Sequence, residues 1–231
     1  MNCRVQGIVV SGIPGFIPSP LSLPCFAPSL VSAVHTLCKK TLRRQLRAYR
    51  RSLSKVQQRR AALRLATQFC RLPALQGCQR FALYIASDGE IDPAFLLKRL
   101  LGRGKEVYLP RLNAAATAMQ FVRVRRGERL VRSRLGVRQP LPAAGAIDLK
   151  QLDVIALPLV GFDAWGRRLG MGGGFYDRAL QAAGRRPRLV GLAHAGQQVP
   201  RLPVEAWDVP VQWVATDRCL LRCPPVRRLT V

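Results

Sequence analysis

LPLVGFDAWGRRLGMGGGFYDRAL, residues 157–180, sets fold and chemistry together. Leu157 to Val160 reads as the end of a buried strand, FYDRAL reads as the start of a helix, and an arginine-rich, glycine-dense loop joins them. Gly170, Gly172, Gly173 and Gly174 have no Cβ, so the backbone can pass through positive φ and turn several N–H groups towards one anion. Arg167 and Arg168 add positive charge, and the following helix presents its positive end to the same place. A strand-to-helix turn uses glycine anyway and arginine is abundant here, so the glycines alone divide evenly between a turn and a site. The flanks tip the balance. Asp163 before the loop and Asp177 after it put carboxylates among cations, which suits phosphate carrying Mg²⁺ better than bare phosphate. The expected ligand is a nucleotide or a phosphoryl intermediate. Two familiar phosphate motifs do not apply: the only Gly-Lys pair, Gly104-Lys105, precedes Glu106, and a G-x-G-x-x-G read from Gly170 ends on Phe175.

Outward from this tract the chain alternates. Lys39 to Phe69 carries Leu42, Leu46, Tyr49, Leu53, Val56, Leu63 and Phe69 among arginines and glutamines, an amphipathic helical pair with Ser54 as the N-cap of its second member. Its basic outer face reads as solvated, with a phosphate contact from its first turns as the sharper alternative. Arg80–Ala86 reads as a strand, Asp92–Leu101 as a helix opened by Asp92-Pro93, Glu106–Leu109 and Met119–Arg125 as strands, and 126–150 as a connection. Asp153–Val160 and Leu189–Ala193 are further strands, Phe175–Ala183 a helix, and Trp213–Ala215 with Cys219–Leu221 close the sheet. This order predicts an α/β layered fold of a single domain, with a central mainly parallel sheet flanked by helices. Ligands in such sheets sit beyond the carboxyl ends of the strands, so the loops after Ile85, Val160 and Ala193 are the candidates. The first contains Asp88, Glu90 and Asp92. Helix capping explains one carboxylate, and Glu90 can accept paired N–H donors from an amino-pyrimidine. Near the C-terminus Asp208 is the better inward candidate, with Glu205 taken as solvated.

The 231 residues and 48% hydrophobic content allow one substantial core. A net charge of +26 raises the reading of an RNA-binding protein. Only six of the 38 basic residues are lysines, the arginines spread over nearly every segment after residue 38, and aromatics are 6%. Specific nucleic-acid binding is therefore not expected. A sugar-phosphate or dinucleotide enzyme on a related scaffold is the other alternative. Seven cysteines without a C-x-x-C pair read as reduced cytosolic thiols, and His35 and His194 have no ligand spacing to Cys219 and Cys223. Residues 1–38 carry one charge, Arg4, and five prolines that interrupt any membrane span. They read as a disordered extension, or as sequence upstream of a start near Val34 or Leu37, leaving 39–231 as the domain.

RLGMGGGFYDR at 168–178, preceded by PLVGFDAWG, resembles the signature of the 5-formyltetrahydrofolate cyclo-ligase family. The resemblance extends to Lys39-Lys40-Thr41-Leu42-Arg43, to Tyr84–Glu90, to Val107-Tyr108-Leu109-Pro110 and to Leu202–Pro210, and spans residues 39 to about 217 in order. It implies synthesis of 5,10-methenyltetrahydrofolate from 5-formyltetrahydrofolate with MgATP. By resemblance, ATP meets Lys39, Lys40, Thr41, Leu42 and Arg43, and Arg168, Leu169, Gly170, Met171, Gly172, Gly173, Gly174, Phe175 and Tyr176. Ile85 and Glu90 hold the folate with Met171 to Phe175; Asp177 and Asp208 bind Mg²⁺; Arg168, Phe175 and Tyr176 stand at the reacting atoms. Some relatives carry Lys or Arg at Met171 or Gly173, and Tyr at Phe175. A monomeric cytoplasmic enzyme is expected.

Overall fold

The computed structural model describes residues 38–113, 119–133, 136, 138–141, 146–181, 187–203, 205 and 208–224. Apart from Cys38, the expectations for the first 38 residues fall outside that range. Two helices open the fold, α1 (Lys39–Ser52) and α2 (Lys55–Cys70). The chain breaks between them at Ser54, whose Oγ accepts the Gln57 N–H at 3.2 Å while Gln57 Oε1 accepts the Ser54 N–H at 2.8 Å. This reciprocal pair satisfies two N–H groups that the first turn of α2 leaves without helical partners.

The strands in chain order are β1 (Arg80–Ala82), β2 (Glu106–Leu112), β3 (Met119–Val124), β4 (Leu130–Arg132), β5 (Arg138–Pro140), β6 (Ala146–Ile147), β7 (Val154–Pro158), β8 (Gly161–Phe162), β9 (Arg168–Leu169), β10 (Arg188–Ala193), β11 (Trp213–Thr216) and β12 (Leu220–Arg222). Helices α3 (Ala94–Gly102) and α4 (Phe175–Gln181) lie among them. Eight strands form one sheet in the order β12-β11-β10-β7-β1-β2-β3-β6. The pairs joining β11, β10, β7, β1 and β2 are parallel, and the outer pairs are antiparallel. Alternate side chains separate two cores: Val154 and Ala156 of β7 face Leu65, Phe69 and Leu96 of α2 and α3, while Ile155 and Leu157 face Leu180 of α4. The layered, mainly parallel α/β domain read from the sequence is the architecture observed.

From β1 the chain adds β2 on one side, and from β7 it adds β10 on the other. The order reverses between β1 and β7, and a crevice opens beyond their carboxyl ends there. The β1 ladder to β7 stops at Ala82–Ile155, so the strand expected through Ala86 is shorter; Leu83 still donates to Tyr108 O at 2.9 Å before the chain turns into the crevice. The connection at 126–150 carries the β4–β5 hairpin and β6, whose two or three polar or isolated residues have no readable period.

The decisive tract also differs from a plain strand–loop–helix. After β7 it forms the β8–β9 hairpin, and only then the glycines. Asp163 closes that hairpin. Fully buried, its Oδ1 accepts the Trp165 and Arg167 N–H groups at 3.0 and 3.1 Å, and its Oδ2 accepts the Leu202 N–H at 3.0 Å. The expectation that Asp163 serves a metal is corrected: its oxygens are committed to backbone.

Candidate active site

A cleft of about 760 Å³ occupies the crevice. Its lining includes Ile85, Ser87 and Glu90 from beyond β1, Pro158, Leu159 and Val160 at the end of β7, the whole run 168–178, and Lys39, Arg43, Glu205 and Asp208. Segments that are distant in sequence therefore share one wall because a parallel sheet gathers its strand ends on one side.

α1 reaches the cleft through one face. Lys39 and Arg43 lie one turn apart and both line it, and Arg43 Nε donates to Gly170 O at 2.9 Å. Lys40 points to solvent, Leu42 is buried with Leu46, Val160 and Leu169, and the Thr41 hydroxyl lies 3.4 Å from Cys38 Sγ, so these three side chains are not in the lining. The helix N-terminus has no side-chain cap and no acid in its first turn. Its first N–H groups are therefore available to an anion.

Among the four glycines of the tract, only Gly172 (φ +101°) and Gly174 (φ +65°) adopt positive φ. Gly170 and Gly173 do not require it, which corrects the uniform expectation. Arg178 lies 5.1 Å over the Phe175 ring, and Tyr176 packs against Phe121 with centroids 6.5 Å apart. Burial, and then the Glu90 charge, push the Tyr176 phenol up from its ordinary value, so it stays neutral. Arg168 is nearly buried; its Nε donates to Val209 O at 2.8 Å and its Nη2 pairs with Asp177 Oδ1.

Carboxylates and cations are matched around the cleft. Lys39 Nζ lies 3.0 Å from Asp208 Oδ2 and 3.4 Å from Glu205 Oε1. Glu205, expected to be solvated, is thus part of the wall. Asp177 and Asp208 are hard oxygen donors of the kind Mg²⁺ takes. Among the described residues no three His, Cys, Asp or Glu side chains gather as a ligand set. That donor chemistry fits an ion that arrives on a triphosphate, since Mg²⁺ commonly uses one or two carboxylates with phosphate oxygens and water.

Glu90 is 8% exposed. Its Oε2 accepts the Ser87 N–H at 3.0 Å and the Ser87 hydroxyl at 3.4 Å. Burial pushes its pKa up, while the Ser87 N–H and the Arg50 guanidinium oppose the shift. Its neighbour Asp88 adopts φ +51° and pairs with Arg47, Arg50 and Arg51 of α1. Burial raises the Asp88 pKa, but the three guanidinium groups outweigh this and hold it well below the usual carboxylate range. Asp92, one residue before the Pro93 N-cap of α3, accepts the Ala94 N–H at 2.9 Å.

The loop after Ala193 does not line the cleft. It supports the two that do: buried Gln197 donates to Leu159 O and Val160 O at 2.7 and 2.8 Å, and His194 Nε2 lies 3.3 Å from Gly89 O. Sequence reasoning also missed Arg138 and Gln139 of β5 and Leu112 and Met119 at the paired ends of β2 and β3, all of which line the cleft. Short, isolated or charged, they carried no signal. Arg50 was missed too, although its place four residues after Leu46 on the buried stripe marked it.

Fold and cleft are those of an α/β enzyme that handles an anionic substrate beside a buried carboxylate. Residues 35–217 match the 5-formyltetrahydrofolate cyclo-ligase family. The 5-formyltetrahydrofolate cyclo-ligase of Escherichia coli (strain K12) is 40% identical over 174 residues, covering 74% of this chain and 96% of that protein. That of Haemophilus influenzae is 36% identical over 181 residues, 77% and 97% of the two chains. A 5,10-methenyltetrahydrofolate synthetase of Aquifex aeolicus, solved by NMR, superposes with a TM-score of 0.72 at 31% identity, over 84% of this chain and 97% of that one. The chain belongs to the 5-formyltetrahydrofolate cyclo-ligase family.

Proposed function

We propose that this chain converts 5-formyltetrahydrofolate to 5,10-methenyltetrahydrofolate with MgATP, releasing ADP and phosphate. One observation carries the assignment: a single cleft holds Glu90, the 170–174 glycines, Lys39, Arg43, Arg168, Asp177 and Asp208.

A formamide is a poor electrophile because its nitrogen donates into the carbonyl. The formyl oxygen therefore attacks the γ-phosphorus and ADP leaves. The folate N10 then adds to the activated carbon and loses its proton, the C–O bond breaks, and inorganic phosphate departs. No side-chain nucleophile is needed, so the protein aligns and neutralises. Glu90, with Ile85 beside it, accepts the amino-pyrimidine N–H groups, and Met171 to Phe175 close over the folate. N–H groups of the glycine tract and of the first turn of α1, at Lys40 and Thr41, meet the phosphates with Lys39 and Arg43; Leu42 and Leu169 seat these two segments on a common core. Arg168 supplies fixed charge at the reacting atoms, and Phe175 and Tyr176 wall them from water. Asp177 and Asp208 would hold Mg²⁺, which supplies charge neutralisation on the triphosphate when bound.

The domain is assigned to residues 39–231 and the working form to a cytoplasmic monomer. Among the described residues no helix is long and apolar enough to cross a membrane. Purified protein mixed with MgATP and 5-formyltetrahydrofolate is expected to develop the absorbance of methenyltetrahydrofolate, and to do so only when ATP is present. Absence of ATP-dependent product overturns the assignment, and sedimentation at twice the chain mass overturns the monomer.

A further inference from the structure

Arg50 is the one lysine or arginine fully buried among the described residues. Its guanidinium meets three segments that enter the cleft separately. Nε donates to Asp88 O at 2.7 Å and Nη2 to Asp88 Oδ2 at 2.6 Å, in the loop after β1. Nη1 donates to Leu159 O at 3.4 Å, at the end of β7, and Nη2 lies 3.5 Å from Met171 Sδ, in the glycine tract. Nη1 also faces Glu90 Oε1 at 3.7 Å. A buried charge is costly to keep, and an apolar side chain of similar volume often serves stability equally well, so the arrangement calls for another use.

We propose that Arg50 is a positioning residue that holds the Glu90 carboxylate and the Met171 end of the glycine tract in fixed relation, so that the pterin site and the phosphoryl site form together. This rests on the cyclo-ligase reading of the cleft. The charged and titratable groups facing Glu90 are Arg50 from α1, Asp88 from its own loop, Tyr84 beyond β1 and Tyr176 from α4. Asp88 is itself neutralised by α1, and both phenols stay protonated. Arg50 is thus the cation that, beside the Ser87 N–H, opposes the effect of burial on the Glu90 carboxylate. Ionised, Glu90 offers both oxygens to a pair of N–H donors; protonated, one oxygen carries a hydrogen that would face a donor. Lysine in place of Arg50 keeps a charge but loses the planar fork that spans Asp88, Leu159 and Met171.

The test compares wild type, Arg50→Met, Arg50→Lys and the remote core variant Leu65→Ala. Two quantities are followed: kcat/KM for 5-formyltetrahydrofolate against pH at saturating MgATP, and the titration of the Glu90 side-chain carbon by NMR in the free protein. Arg50→Met is expected to move the acid limb and the Glu90 titration upward by about one pH unit. Arg50→Lys moves both less, and restores part of an about tenfold loss in folate KM. Leu65→Ala loses stability but keeps the wild-type limb and KM. Should Arg50→Met not fold, Arg50→Lys carries the comparison, and a wild-type limb and folate KM in that variant overturn the proposal. A wild-type protein without turnover would defeat the cyclo-ligase reading alone. The Glu90 titration then judges Arg50, and an unmoved midpoint overturns it.

Discussion

Lys39 Nζ and Asp208 Oδ2 lie 3.0 Å apart, although 169 residues separate them in the chain. The same cleft pairs Arg168 with Asp177. Two of the cations proposed for the triphosphate, Lys39 and Arg168, therefore each neutralise a carboxylate proposed for Mg²⁺. On the proposed reading, binding of MgATP would be an exchange of partners, with these cations turning to the phosphates and the carboxylates to the metal. ATP without metal would have to draw the cations away and leave Asp177 and Asp208 unpaired beside its own negative charge.

Asp208→Asn and Asp177→Asn are each expected to raise the Mg²⁺ concentration for half-maximal turnover about tenfold or more. Metal-free ATP should bind the Asp208→Asn protein more tightly than wild type, because Lys39 loses one competing carboxylate. Titration calorimetry with and without Mg²⁺, beside methenyltetrahydrofolate formation, checks both. An unchanged Mg²⁺ requirement would remove the altered carboxylate from the metal site.

Asp163→Asn probes the third aspartate of this region in the opposite sense. Its carboxylate accepts three backbone N–H groups that an amide can serve only in part. The variant should lose on the order of 2 kcal/mol in a denaturant melt, because buried donors are left poorly satisfied. The Mg²⁺ dependence of its remaining turnover should match wild type, and a shifted dependence would return Asp163 to the metal.

Glycines of the tract should separate in stability. Alanine at Gly172 must adopt φ +101°, whereas a Cβ at Gly170 meets nothing within 4 Å and needs no positive φ. Gly172→Ala is expected to cost about 1–2 kcal/mol. Gly170→Ala should stay within about 0.5 kcal/mol of wild type. Equal losses in thermal unfolding would contradict the loop conformation.

Asp88 gives the acid side of the stability curve its sign. Its pKa is lowered in the fold, so its contribution is fully present above the ordinary carboxylate range and disappears as pH falls through the lowered value. Asp88→Asn removes that pH dependence and leaves Arg50 without the nearer of its two carboxylates, costing about 3 kcal/mol at neutral pH. Unfolding free energies measured from neutral pH down to about pH 3 should fall less steeply for the variant than for wild type. A parallel fall in the two proteins would show that Asp88 is not the group responsible.

The parts of this fold that could be read in advance are those whose periods are long enough to count. Leu42 and Leu46 at helical spacing, Ser54 as an N-cap and the apolar runs at Val154–Leu157 and Leu189–Ala193 mark their elements unaided. The β8–β9 hairpin could not be read, because two-residue strands have no period. Asp163 looked like a ligand for the same reason it is structural: a carboxylate among glycines and arginines fits either use. Arg50 was missed and Glu205 misread because charged side chains are usually solvated, and the partners that bury or recruit them lie far away in sequence. Glu90, the glycine tract and Asp208 stood out in the sequence as candidates, and all line one cleft. Their convergence followed once the reversal between β1 and β7 placed their loops side by side.

One consequence belongs to α1. It carries two sets of basic groups, Lys39 towards Asp208 with Arg43 towards Gly170, and Arg47, Arg50 and Arg51 towards Asp88. Lys39 and Arg50 stand about 16 Å apart along the axis at the usual rise. The helix behaves as a camshaft whose lobes must keep their angular phase. One residue inserted between Arg44 and Arg47 would rotate one set against the other by about 100°. The chain would keep its charge, and nearly its composition, yet lose the timing between the two halves of its cleft.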